Sequence, residues 1–212
     1  MRRLPVYLLL DTSGSMHGEP IEAVKNGLQT LQTALNSDPY ALETVYISII
    51  TFDSTAKQII PLTAVGEFQI PQIHASGCTS MGEALQLLCQ CVERDVTKTT
   101  VEQKGDWRPL VFMMTDGEPT DSIAAGVADV KKRKWGVFVA CAAGTGANTD
   151  TLKQITENVI SLSTADSTSI KAFFKWVTAS VTTASTKVDS GREVEGTLSE
   201  LPPPPPEVNI VV

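Results

Sequence analysis

Short apolar runs alternate along the chain with longer stretches of helical spacing. The short runs are rich in Val, Ile, Leu and Phe, residue types that favour strands. Two of them, residues 6–10 and 110–114, contain few polar positions, as is typical of central parallel strands covered on both faces. The predicted strands are residues 6–10, 45–52, 57–62, 110–115, 135–141 and 158–162.

The longer stretches place apolar side chains three and four residues apart, on one face of a helix. The clearest stripes run from Ile21 to Leu35 and from Met81 to Val92, and shorter ones lie within residues 123–130, 152–155 and 170–181. This alternation predicts an α/β fold, a doubly wound, mostly parallel and Rossmann-like sheet flanked by helices on both faces. The run at 57–62 follows its neighbour so closely that we expect one antiparallel edge strand there.

The composition changes after residue 181. A Ser-, Thr- and acid-rich stretch leads to five consecutive prolines at 202–206 and then to an apolar end. We therefore predict one domain at residues 1–184 and a polar, proline-rich tail at 185–212. The proline run predicts a stiff polyproline II spacer that holds the last residues away from the core. Two roles remain open: a flexible tail, or a docking segment that adds a strand to a sheet edge.

The chain is acidic, with a formal net charge of -7 and a sequence pI near 4.9. Such a balance repels phosphate backbones and anionic lipid surfaces, so neither nucleic acid nor membrane is an expected partner. No stretch approaches the roughly 20 apolar residues of a membrane-spanning helix. These features predict a soluble, cytoplasmic protein that binds a metal cation more readily than an anion.

Four cysteines, Cys78, Cys89, Cys91 and Cys141, contain neither a CxxC pair nor a metal-ligand spacing with the two histidines. Cys89 and Cys91 lie two residues apart on a predicted helix and therefore face different directions. We expect all four to be reduced and to serve as small hydrophobic residues.

Three polar clusters lie where ligands bind in open parallel sheets, beyond the carboxyl ends of the strands. They are residues 11–15, which follow the first strand, residues 76–80, which open a helix, and residues 115–118, which follow the strand at 110–114. Each cluster alone has an ordinary explanation as a helix cap or a turn. Together they bring two aspartates and three hydroxyls to one edge. That all-oxygen set suits a hard cation such as magnesium or calcium.

The clusters carry an Asp-x-Ser-x-Ser motif, a Gly-x-Thr motif at a helix start and a strand that ends in Thr-Asp-Gly. In this order and spacing they resemble the metal-ion-dependent adhesion site of von Willebrand factor A domains. The resemblance covers roughly residues 4–183. It implies that the metal ligands are Asp11, Ser13, Ser15, Thr79 and Asp116, with the aspartates acting partly through water. It also implies Mg²⁺, with Ca²⁺ or Mn²⁺ as alternatives, and a partner protein that supplies a Glu or Asp to the open metal position.

The continuation after Met16 and the segment from Met114 to Asp121 resemble the bacterial tellurium-resistance proteins of the TerY family. Members of that family are associated with a kinase-like protein and a metal-dependent Ser/Thr phosphatase. The resemblance implies a scaffold or adaptor in a tellurite- and stress-resistance system.

An enzymatic role is the alternative. The strand end at Asp11 suggests an aspartate-nucleophile phosphatase, but the second acid that this chemistry requires is replaced by Ser13. No GxSxG motif or P-loop occurs, and the Gly-x-Gly at 144–146 lacks the third glycine of a dinucleotide loop. We therefore predict a binding module without catalytic residues, and we keep a metal-assisted phosphohydrolase or enzyme subunit as the second hypothesis.

Overall fold

A computed structural model describes residues 2–211 and contains seven strands and six α-helices in that range. The strands are β1 (Leu4–Asp11), β2 (Val45–Phe52), β3 (Ala56–Ala64), β4 (Leu110–Thr115), β5 (Val137–Ala143), β6 (Asn158–Leu162) and β7 (Val208–Ile210). The helices are α1 (Glu19–Asn36), α2 (Pro39–Thr44), α3 (Met81–Asp95), α4 (Ala124–Lys131), α5 (Thr149–Lys153) and α6 (Ser167–Asp189).

All seven strands form one sheet in the order β3-β2-β1-β4-β5-β6-β7. Five neighbouring strands run parallel, and β3 is antiparallel to β2 at one edge. The predicted doubly wound α/β fold and its antiparallel edge strand are thereby confirmed. The structure adds a second antiparallel strand, β7, at the opposite edge.

Helices cover both faces of the sheet. Along β1 every residue is buried, and alternate side chains enter two separate cores. Leu8 and Leu10 pack on the face that carries α1 and α6, whereas Tyr7 and Leu9 pack on the face that carries α3. Because the strand is covered on both sides, its sequence is continuously apolar rather than alternating.

Helices α1 and α6 approach each other closely at one glycine. A Cβ atom at Gly27 on α1 would collide with the ring of Phe174 on α6. Phe174 is itself fully buried and packs edge-on against Phe173. The absence of a side chain at position 27 therefore sets the distance between the two helices on this face.

Helix α2 is a short element that hydrophobic spacing does not reveal, because six residues hold less than two turns. Its start nevertheless has a local signal. Asp38 accepts a hydrogen bond from the backbone N–H of Ala41, and Pro39 occupies the first helical position. Both residue types are favoured at a helix N-terminus.

The C-terminal segment is part of the packed structure, contrary to the expectation of a spacer that holds the chain end away. Helix α6 continues to Asp189, so the predicted boundary at 184/185 lies inside a helix. The chain then returns to the sheet, where Trp176 donates an indole hydrogen bond of 2.8 Å to the carbonyl of Pro202. Leu201 and Val208 are buried, and β7 pairs with β6. Of the two roles left open by the sequence, the structure shows the added strand, on the protein's own sheet.

The four cysteines are free thiols, with Cys78 exposed and the other three buried. Burial raises the pKa of the thiols of Cys89, Cys91 and Cys141. A raised pKa keeps these groups protonated and unreactive at neutral pH, as expected of small core residues.

Truncating Val208 tests the contribution of the C-terminal strand. Val208→Ala should lower the free energy of unfolding by about 1–3 kcal/mol, because it removes buried methyl groups and leaves a cavity between β7 and the core. The neighbouring Asn209 is exposed on the same strand, so Asn209→Ala should change stability by less than about 0.5 kcal/mol. Chemical unfolding of both variants measures the difference. Equal stability of the two variants would show that β7 contributes nothing to the fold.

Candidate metal centre

The predicted ligands meet at the carboxyl edge of the sheet, where β1 lies between β2 and β4. The chain winds outward from β1 through β2 to β3, and then crosses back to place β4 on the other side of β1. The ends of β1 and β4 therefore open onto the point where the winding reverses, the usual position of ligand sites in such sheets.

The loop after β1 organises the first half of the site. Asp11 is completely buried, and its Oδ1 accepts a 2.8 Å hydrogen bond from the backbone N–H of Ser13. The hydroxyls of Ser13 and Ser15 lie 3.0 Å apart. Ser15 in turn donates a 2.7 Å hydrogen bond to Oδ1 of Asp116. Four of the five predicted ligands thus form one continuous hydrogen-bonded cluster.

Thr79 reaches the same cluster from the loop before α3. Backbone hydrogen bonds tie the two loops together, from Gly14 N–H to Gly77 O (3.1 Å) and from Ser76 N–H to Thr12 O (2.9 Å). Gly77 has a φ of +73°, a conformation that favours glycine. A Cβ atom built on Gly117 would lie 3.8 Å from Thr79 Oγ1 and 4.0 Å from Ser15 Oγ. The two hydroxyls therefore flank the same small space beside the third loop.

Burial and a neighbouring negative charge both destabilise the ionised form of Asp11. Removal from water raises the pKa of its carboxyl above the ordinary value, and hydrogen bonds from Ser13 and Thr115 offset this only in part. The neighbouring Asp116 carboxylate raises the pKa of Asp11 further. A bound cation would offset both effects, because it attracts both carboxylates.

The donor set fits a hard cation. It consists of two carboxylates and three hydroxyls, all of them oxygen ligands, and it contains no thiolate or imidazole. Within residues 2–211, no group of three or more His, Cys, Asp and Glu side chains is arranged to hold a metal. The cluster at Asp11 differs from such groups because three of its five side chains are neutral hydroxyls.

Two further residues support the site and were not predicted. Thr115 donates a 2.6 Å hydrogen bond to Asp11 Oδ2, which fixes the carboxylate orientation. Asp121 accepts hydrogen bonds of 2.9 and 2.8 Å from the backbone N–H groups of Gly82 and Glu83 in the first turn of α3. Thr115 could have been found from its place in the Thr-Asp-Gly motif. Asp121 gives no local signal, because its partners lie about 40 residues away along the chain.

The fold and the three-loop cluster define a doubly wound α/β domain with a polar site at the carboxyl edge of its sheet. The chain belongs to the family of the von Willebrand factor type A domain, which it matches over residues 6–176. An uncharacterized protein of Synechocystis sp., sll0103, is 34% identical over 124 residues, 55% of this chain and 26% of that protein. The chain thus spans about a quarter of the length of this curated relative.

Solved structures with the same fold come from several sources. A von Willebrand factor type A protein from Catenulispora acidiphila has a TM-score of 0.59 at 16% identity. The match covers 85% of this chain and 43% of that protein. The zinc-occupied proximal thread matrix protein 1 of the mussel byssus has a TM-score of 0.57 at 19% identity. The match covers 87% of this chain and 46% of that protein. The ArnB paralog VWA2 from Sulfolobus acidocaldarius has a TM-score of 0.58 at 12% identity, and the match covers 87% of this chain and 45% of that protein. At these identities the likeness establishes the fold.

No helix in the described part of the chain combines the length and the apolar character needed to cross a bilayer.

Neutralising Asp11 tests whether its buried carboxylate destabilises the metal-free protein. Because the folded-state pKa of this acid is raised, its ionised form destabilises the fold as pH rises from the unfolded value through the folded one. Asp11→Asn keeps the acceptor for Ser13 N–H and removes the buried charge. In chelator at pH 7 its melting temperature should equal or exceed that of the wild type, and the difference should shrink toward pH 4. A melting temperature several degrees below wild type at pH 7 would contradict this reading.

Proposed function

We propose that the chain is a metal-dependent protein-binding module, with Asp11, Ser13, Ser15, Thr79 and Asp116 holding the ion. The observation that carries this proposal is the convergence of two carboxylates and three hydroxyls from three loops. The side chains of Asp11, Ser13 and Thr79 are buried, whereas Ser15 is exposed and Asp116 half-buried. The cluster therefore opens to solvent on one side, where a partner can reach it.

The charge of the ligand set explains how such a site would recognise a partner. When bound, the ion would supply a positive centre. Its charge would stay largely uncompensated because three of the five ligands are neutral hydroxyls and because the resemblance implies that the two aspartates act partly through water. Ser13 and Ser15 orient their oxygens through the contacts described above, and Thr115 holds the Asp11 carboxylate in place. A Glu or Asp from the partner would meet this centre at a partly buried site, where charge-assisted contacts are strong.

Mg²⁺ is the ion that we propose, with Ca²⁺ and Mn²⁺ as alternatives. All ligands are oxygens, and Mg²⁺ retains several waters, which fits a site where the aspartates act partly through water. The structural neighbour from the mussel byssus is described with zinc in its metal-ion-dependent adhesion motif. That description supports a metal at this position of the fold, although the ion differs.

Binding is favoured over catalysis by the surroundings of the cluster. In the part of the chain that the structure describes, no hydrogen bond joins a Ser or Cys side chain to an imidazole. The hydroxyls of Ser13 and Ser15 instead contact each other and Asp116. They are placed as ligands, and neither has the adjacent imidazole that activates the serine nucleophile of a catalytic triad. A metal-assisted phosphohydrolase that uses the same cluster remains the second candidate.

We place the module in a bacterial tellurite- and stress-resistance system, as a cytoplasmic scaffold for a kinase-like protein and a metal-dependent Ser/Thr phosphatase. Support comes from the TerY-like segments that flank the site, at Met16–Pro20 and Met114–Asp121. The acidic net charge argues against nucleic acid and membrane partners.

Partner capture by matched variants tests the proposed function. Thr79→Ala removes one neutral ligand without a change in charge, whereas Ser76→Ala removes an exposed hydroxyl from the same loop. With Mg²⁺ present, Thr79→Ala should weaken capture of the kinase-like and phosphatase proteins about tenfold or more, the scale of one lost contact to a charged group. Ser76→Ala should bind like the wild type, and chelator should reduce the wild type to the level of Thr79→Ala.

The same preparations separate the two candidate functions. If Thr79→Ala and chelator both leave capture unchanged, the cluster is not the binding site. Metal-dependent turnover of p-nitrophenyl phosphate that Thr79→Ala abolishes and Ser76→Ala preserves would favour the phosphohydrolase instead.

A further inference from the structure

A second recess lies at the opposite end of the molecule, at the amino ends of the parallel strands. We call it the α3–α4 groove. It has a volume of about 530 Å³ and lies between the C-terminal turn of α3, the loop at 96–109 and the segment after α4. Its walls include Val92, Lys98, Trp107 and residues 132–134. None of these residues belongs to the metal centre.

The groove is cationic on an acidic protein. Five of the chain's 17 Lys and Arg residues line it, against two acids, Glu93 and Asp106. One of these acids, Glu93, is shared between Lys98 and Arg133. The other, Asp106, is engaged by Arg3 at 2.6 Å. Arg108 pairs with Glu193, outside the groove, at 3.0 Å. The rim retains positive charge after these pairs are formed, because Glu93 balances only one of its two basic partners, although the whole chain is negative.

Two exposed lysines provide the accessible part of this charge. Lys132 extends into solvent with 73% of its side chain exposed, and its pair with Asp129 is a surface contact of the kind that contributes little. Lys134 is also exposed and, among residues 2–211, has no acidic side chain within ion-pair distance. Both ammonium groups can turn toward a ligand without breaking a buried interaction.

Apolar side chains from α3 and from the loop at 96–109 line the groove between the charges. Val92 and Trp107 are nearly buried, and Val96 is half-buried beside them. The guanidinium of Arg2 stacks on the Trp107 ring, 3.5 Å from its centroid. A ligand that fills the groove therefore needs an apolar group as well as negative charge.

The loop that forms one wall is held rigidly. The Asp106 carboxylate accepts hydrogen bonds from the backbone N–H groups of Arg3 (3.1 Å) and Thr97 (2.8 Å) in addition to the Arg3 side chain. Burial acts to raise the pKa of Asp106, but these donors outweigh it and hold the pKa below its ordinary range. The wall is thus preorganised at neutral pH, which lowers the entropic cost of binding.

We propose that the α3–α4 groove binds an acidic peptide segment of a partner protein, with an apolar side chain on Val92, Val96 and Trp107 and carboxylates at Lys132 and Lys134. The apolar lining favours a peptide over nucleic acid, whose outward phosphates present no such group. Because the groove and the metal centre lie at opposite ends of the parallel strands, one chain can hold two partners at once. This interaction needs no metal.

Fluorescence anisotropy with a defined probe tests the proposal. The probe is a fluorescein-labelled peptide with a central Phe flanked on each side by three Glu or Asp residues. Lys132→Glu/Lys134→Glu in the full chain should weaken probe binding about tenfold or more, because attraction becomes repulsion at two positions. The matched control, Lys171→Glu/Lys175→Glu, makes the same change in net charge at two exposed positions of α6 and should stay within about twofold of wild type. Equal losses in both double variants would overturn the proposal, because they would report net charge alone.

Four further arms complete the test. Replacing the probe's Phe with Gly should weaken binding about tenfold, as expected for losing one buried aromatic side chain. Chelator should leave binding unchanged, and single-stranded DNA of equal charge should bind at least about tenfold more weakly than the peptide. Loss of binding in chelator would place the probe at the metal centre, and DNA binding as tight as the peptide's would make the groove a general polyanion site; either result overturns the proposal. Thr79→Ala should bind the probe normally, so failure here is distinguishable from failure of the metal-centre proposal.

Discussion

The pairing of β1 with β4 is the constraint on which the polar site depends. These strands are about 100 residues apart in the chain, yet Leu10 lies opposite Met114 in the sheet. Two buried strand ends are thereby brought together, and Thr115 can donate to the Asp11 carboxylate across the seam. The backbone pairing of β1 with β4 fixes the positions of the site's side chains, and apolar cores on both faces of the sheet stabilise that pairing. A charge as buried as Asp11 is tolerated because that scaffold leaves it no alternative position.

Much of the fold could be predicted from local patterns. The bounds of β2, β4 and β6 agree with the apolar runs, because polar residues, a proline or a helix end delimit those runs on both sides. The fifth strand begins and ends two residues later than predicted, at Val137–Ala143. Trp135 resembles a strand residue in composition, but its indole donates to the carbonyl of Val130 and closes the turn after α4. Ala142 and Ala143 have weak strand preference, and tertiary pairing with β6 extends the strand over them.

The residues of the site also divide into those that local sequence patterns predict and those that they do not. The convergence of the five proposed ligands could be predicted, because each lies within a short motif at a strand or helix end. Their supports could not, since Asp121 caps a helix from a distant loop and Thr120 accepts the backbone N–H of Thr79. The destination of the chain end was equally hidden. Five consecutive prolines suggest a segment that is separate from the core. The burial of Leu201 before the prolines and of Val208 after them shows that the proline run connects two packed residues.

That connection also changes the behaviour of the sheet edge. The segment Asn158–Leu162 is short and rich in strand-forming residues, and without β7 its outer hydrogen-bonding groups would be free to pair with another chain. The three-residue β7 covers most of that edge and presents a shorter one of its own. A proteolytic cut within 202–207 would release this cover and expose an aggregation-prone strand. The C-terminal segment therefore protects this edge of the sheet against pairing with another chain.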